Sequence, residues 1–358
     1  MIVIVGAGPV GCFLGHLLAK QGKDVTIYEE HAVIGKPMQC TGLVTKELDR
    51  IMKFRKDFVL NRLNIARVCS HKNYAEIDVD EYVLDRVKFD RYLAGMAVKS
   101  GAKIVLGAEV IDVGRNSVVI KDKKGIRRIK AEIIIGADGP NSIVAKKINK
   151  IKRRNYIGLQ ARVRGNFEDN KYITYFGGIC PGFFAWIVPE SRSIARIGLA
   201  CKRDVRGCFN KFLRKLKMNN KDIIDKQGGL IPIYDGKIDV QKGNMYLVGD
   251  SAGQVKATTG GGLVFGLKAA KILADCIING KNYSKMLRRM NKELYMHLMI
   301  RRMLNKFNDR DFSYLIKLVK GKKVQNVLKE SSREYPSKLM FKLLLNEPRF
   351  LFFAKKIF

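Results

Sequence analysis

The chain has 358 residues, 47% of them hydrophobic, enough to bury a sizeable core in one large domain or two packed ones; this excludes a disordered protein. Its 68 lysines and arginines against 33 acidic residues give a formal charge of +35, a surface that attracts nucleic acid, anionic membrane, phosphorylated substrates or an acidic partner. Apolar runs such as 339–345 fall well short of the ~20 residues that a bilayer crossing needs, and seven cysteines without a CxxC pair exclude a disulfide framework and a zinc site.

In chain order, the first elements read strand (Ile2 to Val5), glycine turn (Gly6 to Gly11), helix through Leu18, and strand (Val25 to Tyr28), a βαβ unit. No basic stretch and apolar segment precedes the first strand, so no secretory leader and a cytoplasmic location are expected. Residues 60–84 read as irregular and strand structure. An amphipathic helix follows from about Phe89 to Lys99, with Phe89, Tyr92, Leu93 and Met96 on one face. Lys103 to Val113, Ser117 to Lys121 and Arg127 to Ile135 read as strands, with a hairpin turn at 121–125. Strand-like runs dominate 156–240, among them Tyr172 to Phe176, Phe184 to Val188 and Ile194 to Cys201, which predicts an antiparallel sheet in a second domain. Met245 to Val248 is a short buried strand, followed by a glycine-rich loop and a helix from about Leu263 to Ile278. The remainder is helical, broken by Gly321, Pro336 and Pro348, and residues 281–358 hold 20 basic and 6 acidic residues, a net +14.

Three signatures carry the chemistry. Gly6, Gly8 and Gly11, with Val10 between them, form a GxGxxG turn that follows a strand and opens a helix, where glycine permits close backbone approach to a pyrophosphate. The second strand ends at Glu29, 23 residues after Gly6, where a carboxylate accepts hydrogen bonds from both ribose hydroxyls; this favours FAD or NAD over NADP. The second signature, Ile133 to Ser142, is a buried strand entering the turn Asp138-Gly139. The third runs from Leu247 through Gly249, Asp250 and Gly253 to Gly260, Gly261, Gly262 and Leu263. There a strand-end carboxylate suits ribityl hydroxyls, and a helix N-terminus suits the electron-rich edge of a reduced flavin. The order and spacing of the three resemble the FAD-binding domain of aromatic hydroxylases, which points to FAD.

The run 249–262 is similar to that of the geranylgeranyl reductase family, which includes archaeal digeranylgeranylglycerophospholipid reductases. Asp85-Arg86-Val87-Lys88-Phe89-Asp90 resembles the family's DRxxFD segment, and Lys36 to Leu43 resembles its cysteine-containing loop. Pro181-Gly182-Phe183-Phe184-Ala185-Trp186-Ile187-Val188-Pro189 resembles its PxxYxWxFP motif, with Phe184 for tyrosine and Val188 for phenylalanine. The resemblance covers residues 1 to about 280. It implies that Cys40, Thr41, Gly42, Arg86 and Val110 join the FAD site, and that Pro181, Phe184, Trp186 and Pro189 contact a prenyl chain. Independently of it, Phe184 and Trp186 stand two apart on a strand and share a face, an aromatic wall suited to a hydrocarbon; a core position is the other reading of Trp186, the only tryptophan. Cys40 reads as packing, as a proton donor, or as part of the backbone holding the dinucleotide. Lys256 reads as a contact to a phosphate headgroup or as a solvated lysine. Four isolated histidines give no metal motif.

The expected fold is α/β: an FAD-binding Rossmann domain of the glutathione-reductase and hydroxylase type from residues 1–60, 85–150 and 240–280, an antiparallel-sheet substrate domain from 61–84 and 151–239, and a basic helical tail, 281–358. The expected function is FAD-dependent saturation of prenyl double bonds in a membrane-lipid precursor. No second GxGxxG serves NAD(P)H, so a ferredoxin or a deazaflavin is the expected donor, and an anionic membrane surface the expected partner of the positive charge. The rivals are an FAD-dependent monooxygenase or halogenase, since 184–189 also resembles the halogenase WxWxIP segment without its first tryptophan, and a basic nucleic-acid-binding protein, for which no recognition motif is present.

Overall fold

The run Ile2–Val5 is apolar and buried at every position, the pattern of a central parallel strand covered on both faces. In the computed structural model, which describes residues 1–71, 73–150 and 154–356, it lies within a six-stranded sheet. The order is Gln241–Lys242, Met245–Leu247, Ile133–Gly136, Ile2–Val5, Val25–Glu29, Lys103–Leu106. All neighbours run parallel except Gln241–Lys242, which closes one edge antiparallel to Met245–Leu247.

Pleating sends Val3 and Val5 to one face of this sheet and Ile2 and Ile4 to the other. On the first face they share a core with Val110, Val113, Val118 and Ile120 of a three-stranded antiparallel sheet made by Glu109–Val113, Ser117–Asp122 and Gly125–Lys130. On the second lies the helix Pro9–Ala19. Its Gly15 allows close approach, because a Cβ there would meet Ile27 Cδ1 at 2.6 Å. The helices Arg86–Lys99 and Leu263–Asn279 pack beside it. Together these elements form one compact unit, Met1–Met38, Arg86–Arg154 and Pro232–Leu294.

The second unit comprises Gln39–Asp85, Asn155–Ile231 and Tyr295–Phe358. Its eight-stranded sheet has the order Ile223–Pro232, Asn155–Arg164, Ile194–Cys201, Ala185–Pro189, Lys171–Phe176, Val59–Ser70, Asn73–Leu84, Leu43–Thr45. Ile194–Cys201 is antiparallel to both its neighbours, and Val59–Ser70 is antiparallel to Asn73–Leu84, but Lys171–Phe176 runs parallel to Val59–Ser70. The basic C-terminal stretch is helical over Arg288–Leu304, Asp309–Val319, Lys322–Glu330 and Pro336–Asn346, with a 3-10 turn at Pro348–Lys356. Breaks fall at Gly321, Pro336 and Pro348, where a helix must stop or start anew.

The structure differs from the sequence expectation in three places. The run 103–113 is two strands in two sheets, divided at Gly107, whose φ of +65° turns the chain. The run 127–135 divides likewise, between Gly125–Lys130 and Ile133–Gly136. Val59–Ser70 and Asn73–Leu84 are two 12-residue strands paired antiparallel, with register shifts between Val59 and Asn61 and between Leu63 and Ile65, so strand and irregularity occur together there as expected. Finally, residues 39–60 group with the second unit, where Leu43–Thr45 pairs with Asn73–Leu84, and the chain beyond Leu294 groups there too. Arg333 Nη2 donates to buried Glu81 at 2.7 Å, and Gln325 Nε2 to the Glu76 carbonyl at 2.9 Å, so the helices are tied to the same strand. Residues 151–153, where the second domain is expected to begin, lie outside the described residues.

In the second sheet Trp186 stands opposite Gly198, and a Cβ on Gly198 would lie 2.6 Å from the indole ring. Gly198→Ala therefore overpacks a buried strand pair and is expected to destabilise the protein by about 1–3 kcal/mol. Urea unfolding should show the lower midpoint at unchanged slope; an unchanged midpoint would contradict this packing.

Candidate functional site

The glycine turn of the first unit owes its shape to backbone crowding. A Cβ on Gly11 would meet the Gly6 carbonyl oxygen at 2.1 Å, and one on Gly6, where φ is +99°, would meet the Ala137 carbonyl oxygen at 2.6 Å. The first signature thus lies directly against the second. Val10 occupies the room left by two glycines of the third region: added Cβ atoms on Gly249 and Gly266 would come within 3.2 and 2.6 Å of its side chain. The Ser251 hydroxyl donates to the Gly136 carbonyl, and Gln254 Oε1 accepts from the Gly249 N–H at 2.7 Å. Gln254 Nε2 in turn donates to the hydroxyl of buried Tyr283 at 3.2 Å, and that hydroxyl donates to the Leu247 carbonyl at 3.2 Å. Three segments far apart in the chain are held as one constellation.

The residues present fit a dinucleotide. A Cβ on Gly8 would find nothing within 4 Å, so this side of the turn is open, and the helix that starts there has neither a side-chain cap nor an acidic residue in its first turn. Such an end binds phosphate through its N–H groups and dipole. Glu29 ends the neighbouring strand; its Oε2 accepts from the Ala7 N–H at 2.8 Å and its Oε1 from the His31 N–H at 3.0 Å, which aims the carboxylate at the turn. Asp138 accepts from the Ile143 N–H through Oδ2 at 2.8 Å, while its Oδ1 is buried with no hydrogen-bond partner among the described residues. Burial raises the Asp138 carboxyl above the usual carboxylate range. A buried acceptor left open in this way suits a bound hydroxyl or N–H. The helix Leu263–Asn279 also starts without a side-chain cap or acid, at Gly262, and the carboxylate of Asp250 lies against that residue: a Cβ on Gly262 would be 2.6 Å from Asp250 Oδ1. Gly253, at φ +67°, turns the chain between them.

Other expected residues fall around this centre. Val110 is a core residue behind the sheet, and Arg86 makes a two-bond ion pair with Asp90, both at 3.1 Å, one turn along its helix. Lys256 is buried, only 4% exposed, with its N–H donating to the Gly261 carbonyl at 3.2 Å. A solvated lysine does not describe it.

Cys40, Thr41 and Gly42 belong to the second unit, together with Pro181, Phe184, Trp186 and Pro189. Gly42 adopts φ +71°, and a Cβ there would strike Arg196 Nη1 at 2.6 Å and the Leu84 carbonyl oxygen at 2.7 Å. Arg196 is almost fully buried; it donates to Glu190 at 2.7 Å and to the Thr41 carbonyl at 2.5 Å, which holds the cysteine loop by its backbone. Cys40 Sγ accepts from the Gly42 N–H at 3.3 Å. One amide then joins loop and aromatic strand: Gln160 Oε1 accepts from Thr41 Oγ1 at 2.7 Å and from Trp186 Nε1 at 2.8 Å. The rings of Phe184 and Trp186 meet edge to face at 5.8 Å, so the pair shares a face as its spacing requires. Phe183 stacks on Phe184 at 4.5 Å, and the guanidinium of Arg301 lies 4.5 Å from the Phe183 ring centre. Burial lowers Arg301 to about 10, so it remains a cation at neutral pH.

Sequence reasoning missed Tyr283, Gln160, Arg196 and Arg301, and gave no role to Ser251 and Gln254, which lie in the run 249–262. Tyr283, Gln160 and Arg196 are single polar side chains with no motif of their own. The one available signal for Arg301 is its place one helical turn after His297, which is also buried.

Asp250→Ala removes an acceptor from the third signature. It is expected to weaken FAD retention by about 1–3 kcal/mol without unfolding the chain. Flavin titration of the apoprotein measures this, and undiminished affinity would contradict the assignment.

Residues 4–44 match the model of the NAD(P)-binding Rossmann-like domain. Digeranylgeranylglycerophospholipid reductase 1 of Methanosphaera stadtmanae is 30% identical over 315 residues, which cover 79% of this chain and 77% of that one. Among solved structures, a geranylgeranyl bacteriochlorophyll reductase-like protein from Thermoplasma acidophilum superposes with a TM-score of 0.83 at 20% identity, covering 100% of this chain and 98% of that one. The flavin-dependent brominase Bmp2 superposes with a TM-score of 0.73 at 15% identity, covering 99% of each chain. At those identities the structures establish the fold alone; the sequence relative establishes the kinship. This chain belongs to the geranylgeranyl reductase family of FAD-dependent oxidoreductases.

Proposed function

We propose that this protein saturates prenyl double bonds in a membrane-lipid precursor, with Phe184 and Trp186 holding the hydrocarbon chain. The carrying observation is the aromatic pair itself. Phe184, just before the strand Ala185–Pro189, and Trp186 within it meet edge to face, the indole is oriented by Gln160, and the surrounding rings offer an alkene no hydrogen-bonding competitor. Bound and in its reduced form, FAD would supply the hydride-transfer chemistry, one alkene carbon gaining a hydride and the other a proton while the flavin is oxidised. The chain's own contribution is to align an apolar substrate and to exclude water, which raises the rate only where the alignment is specific to the reacting geometry.

On this reading the buried ammonium of Lys256 neutralises a phosphate of the substrate or cofactor. The Cys40 thiol has a packing role, supported by the bond its sulfur accepts from the Gly42 N–H. The reducing equivalents come from a low-potential ferredoxin or a deazaflavin, in keeping with the single dinucleotide fingerprint. Among the described residues no helix is long and apolar enough to cross a membrane. On this reading the protein reaches lipid at the bilayer surface, through charge and exposed apolar side chains.

Replacement of Trp186 tests the assignment. Trp186→Phe keeps a buried ring and loses the bond to Gln160; Trp186→Ala removes the wall. Both should retain reducible FAD, and prenyl reduction in the alanine variant should fall by roughly 10–100-fold, with partly saturated products as the chain loses register. Loss of FAD or of the folded state in both variants would make Trp186 a core residue only. Turnover that requires oxygen or halide would favour the halogenase-type rival.

A further inference from the structure

The last helix and the turn that follows it are apolar on two sides. Inward, Leu343, Phe350 and Phe353 join a small core with Met303, Leu318 and Val324. Outward, Phe341, Leu345, Leu351 and Phe352 are 65%, 68%, 58% and 51% exposed. Phe341 and Leu345 stand one helical turn apart and so share a face. Four large apolar side chains within twelve residues, all more than half exposed, exceed the scattered singletons that a solvated surface carries.

The charges around them have one sign. Lys338, Lys342, Arg349 and Lys355 are exposed in the same stretch. Its one acidic residue, Glu347, is held by Arg349 at 2.7 Å. Behind the face runs a series of aromatic rings, each packed on the next: Phe352 on Phe353, Phe353 on Phe307, Phe307 on Phe312, Phe312 on Phe176, Phe176 on Phe184, with centroid separations between 4.8 and 5.7 Å. It ends at Phe184 and Trp186, the proposed hydrocarbon wall.

We infer that residues 336–356 form the face by which this protein docks on an anionic lipid bilayer. Apolar side chains ringed by lysine and arginine match the boundary between acyl chains and negative headgroups, where burial of the first and attraction of the second act together. A second copy of the chain would set the same cations against one another in a protein that already carries +35. A nucleic acid would use the cations and leave the exposed leucines and phenylalanines in water. The aromatic series ties this face through packed core to Phe184 and Trp186; its bearing on the substrate rests on the reductase reading, whereas the docking does not.

The test uses the full chain with FAD bound and vesicles of phosphatidylglycerol and phosphatidylcholine, against vesicles of phosphatidylcholine alone. The protein should float with the anionic vesicles and not with the neutral ones. The triple variant Phe341→Ser, Leu345→Ser, Leu351→Ser, altered only at exposed positions, should lose about tenfold or more in vesicle binding, as should Lys338→Gln, Lys342→Gln, Lys355→Gln. Both variants should keep FAD and reduce a detergent-dispersed prenyl lipid at the parent rate, while turnover of the same lipid in vesicles falls with binding. Equal flotation of the parent and the serine variant would overturn the inference. So would a parent dimer in sedimentation that the serine variant abolishes, because the face would then belong to a second copy. Anionic flotation lost in the variants, with no prenyl reduction by the parent on either substrate, would uphold the docking face and contradict the reductase reading instead.

Discussion

There is no room for a side chain between the first glycine turn and the backbone it rests on, and the site of the first unit follows from that constraint. With Gly11 pressed on the Gly6 carbonyl and Gly6 on the Ala137 carbonyl, the helix Pro9–Ala19 must begin where three strands of the parallel sheet end. Val10 then reaches the third loop, which Ser251, Gln254 and Tyr283 fasten from behind. The open side of Gly8, the helix N-termini without a side-chain cap and the Asp138 oxygen that has no partner among the described residues are consequences of the same arrangement, and groups that would each cost free energy alone fit one bound dinucleotide.

The second unit uses a different device. Its aromatic motif is held by shared polar partners inside an apolar sheet, and Gln160 accepts from the cysteine loop and the tryptophan at once. Arg196, buried and satisfied by Glu190 and by backbone carbonyls, gives the loop a fixed path. A buried polar group of this kind is costly when broken, so such groups specify one arrangement of the loop and the aromatic strand. The cation of Arg301 over Phe183 extends the same principle to the helix Arg288–Leu304.

Much of this was legible in the sequence, for identifiable reasons. Glycines at fixed offsets after an apolar run, and carboxylates at strand ends, report backbone geometry and ligand chemistry together, so the three signatures and Glu29 could be read locally. The Phe184 and Trp186 face followed from strand alternation. What stayed hidden was decided by tertiary pairing. The apolar runs 103–113 and 127–135 look continuous, yet each crosses from one sheet to another at a turn whose purpose lies in the partner strand. Gln160 and Arg196 are polar residues in strands and read as solvent-facing until the strands beside them are known. Arg301 was hidden in a strongly basic stretch, where one buried cation among many exposed ones leaves almost no mark.

On the proposed function, reduced flavin on this chain saturates a prenyl alkene. The direct measurement is anaerobic: the purified protein with its FAD reduced by dithionite, mixed with a geranylgeranyl glycerolipid, and the lipid followed by mass spectrometry while the flavin spectrum is recorded. The account predicts that the flavin reoxidises in proportion to lipid consumed and that each reduced double bond gains the mass of one hydrogen molecule. A flavin that stays reduced until oxygen is admitted, with the lipid unchanged, would contradict it.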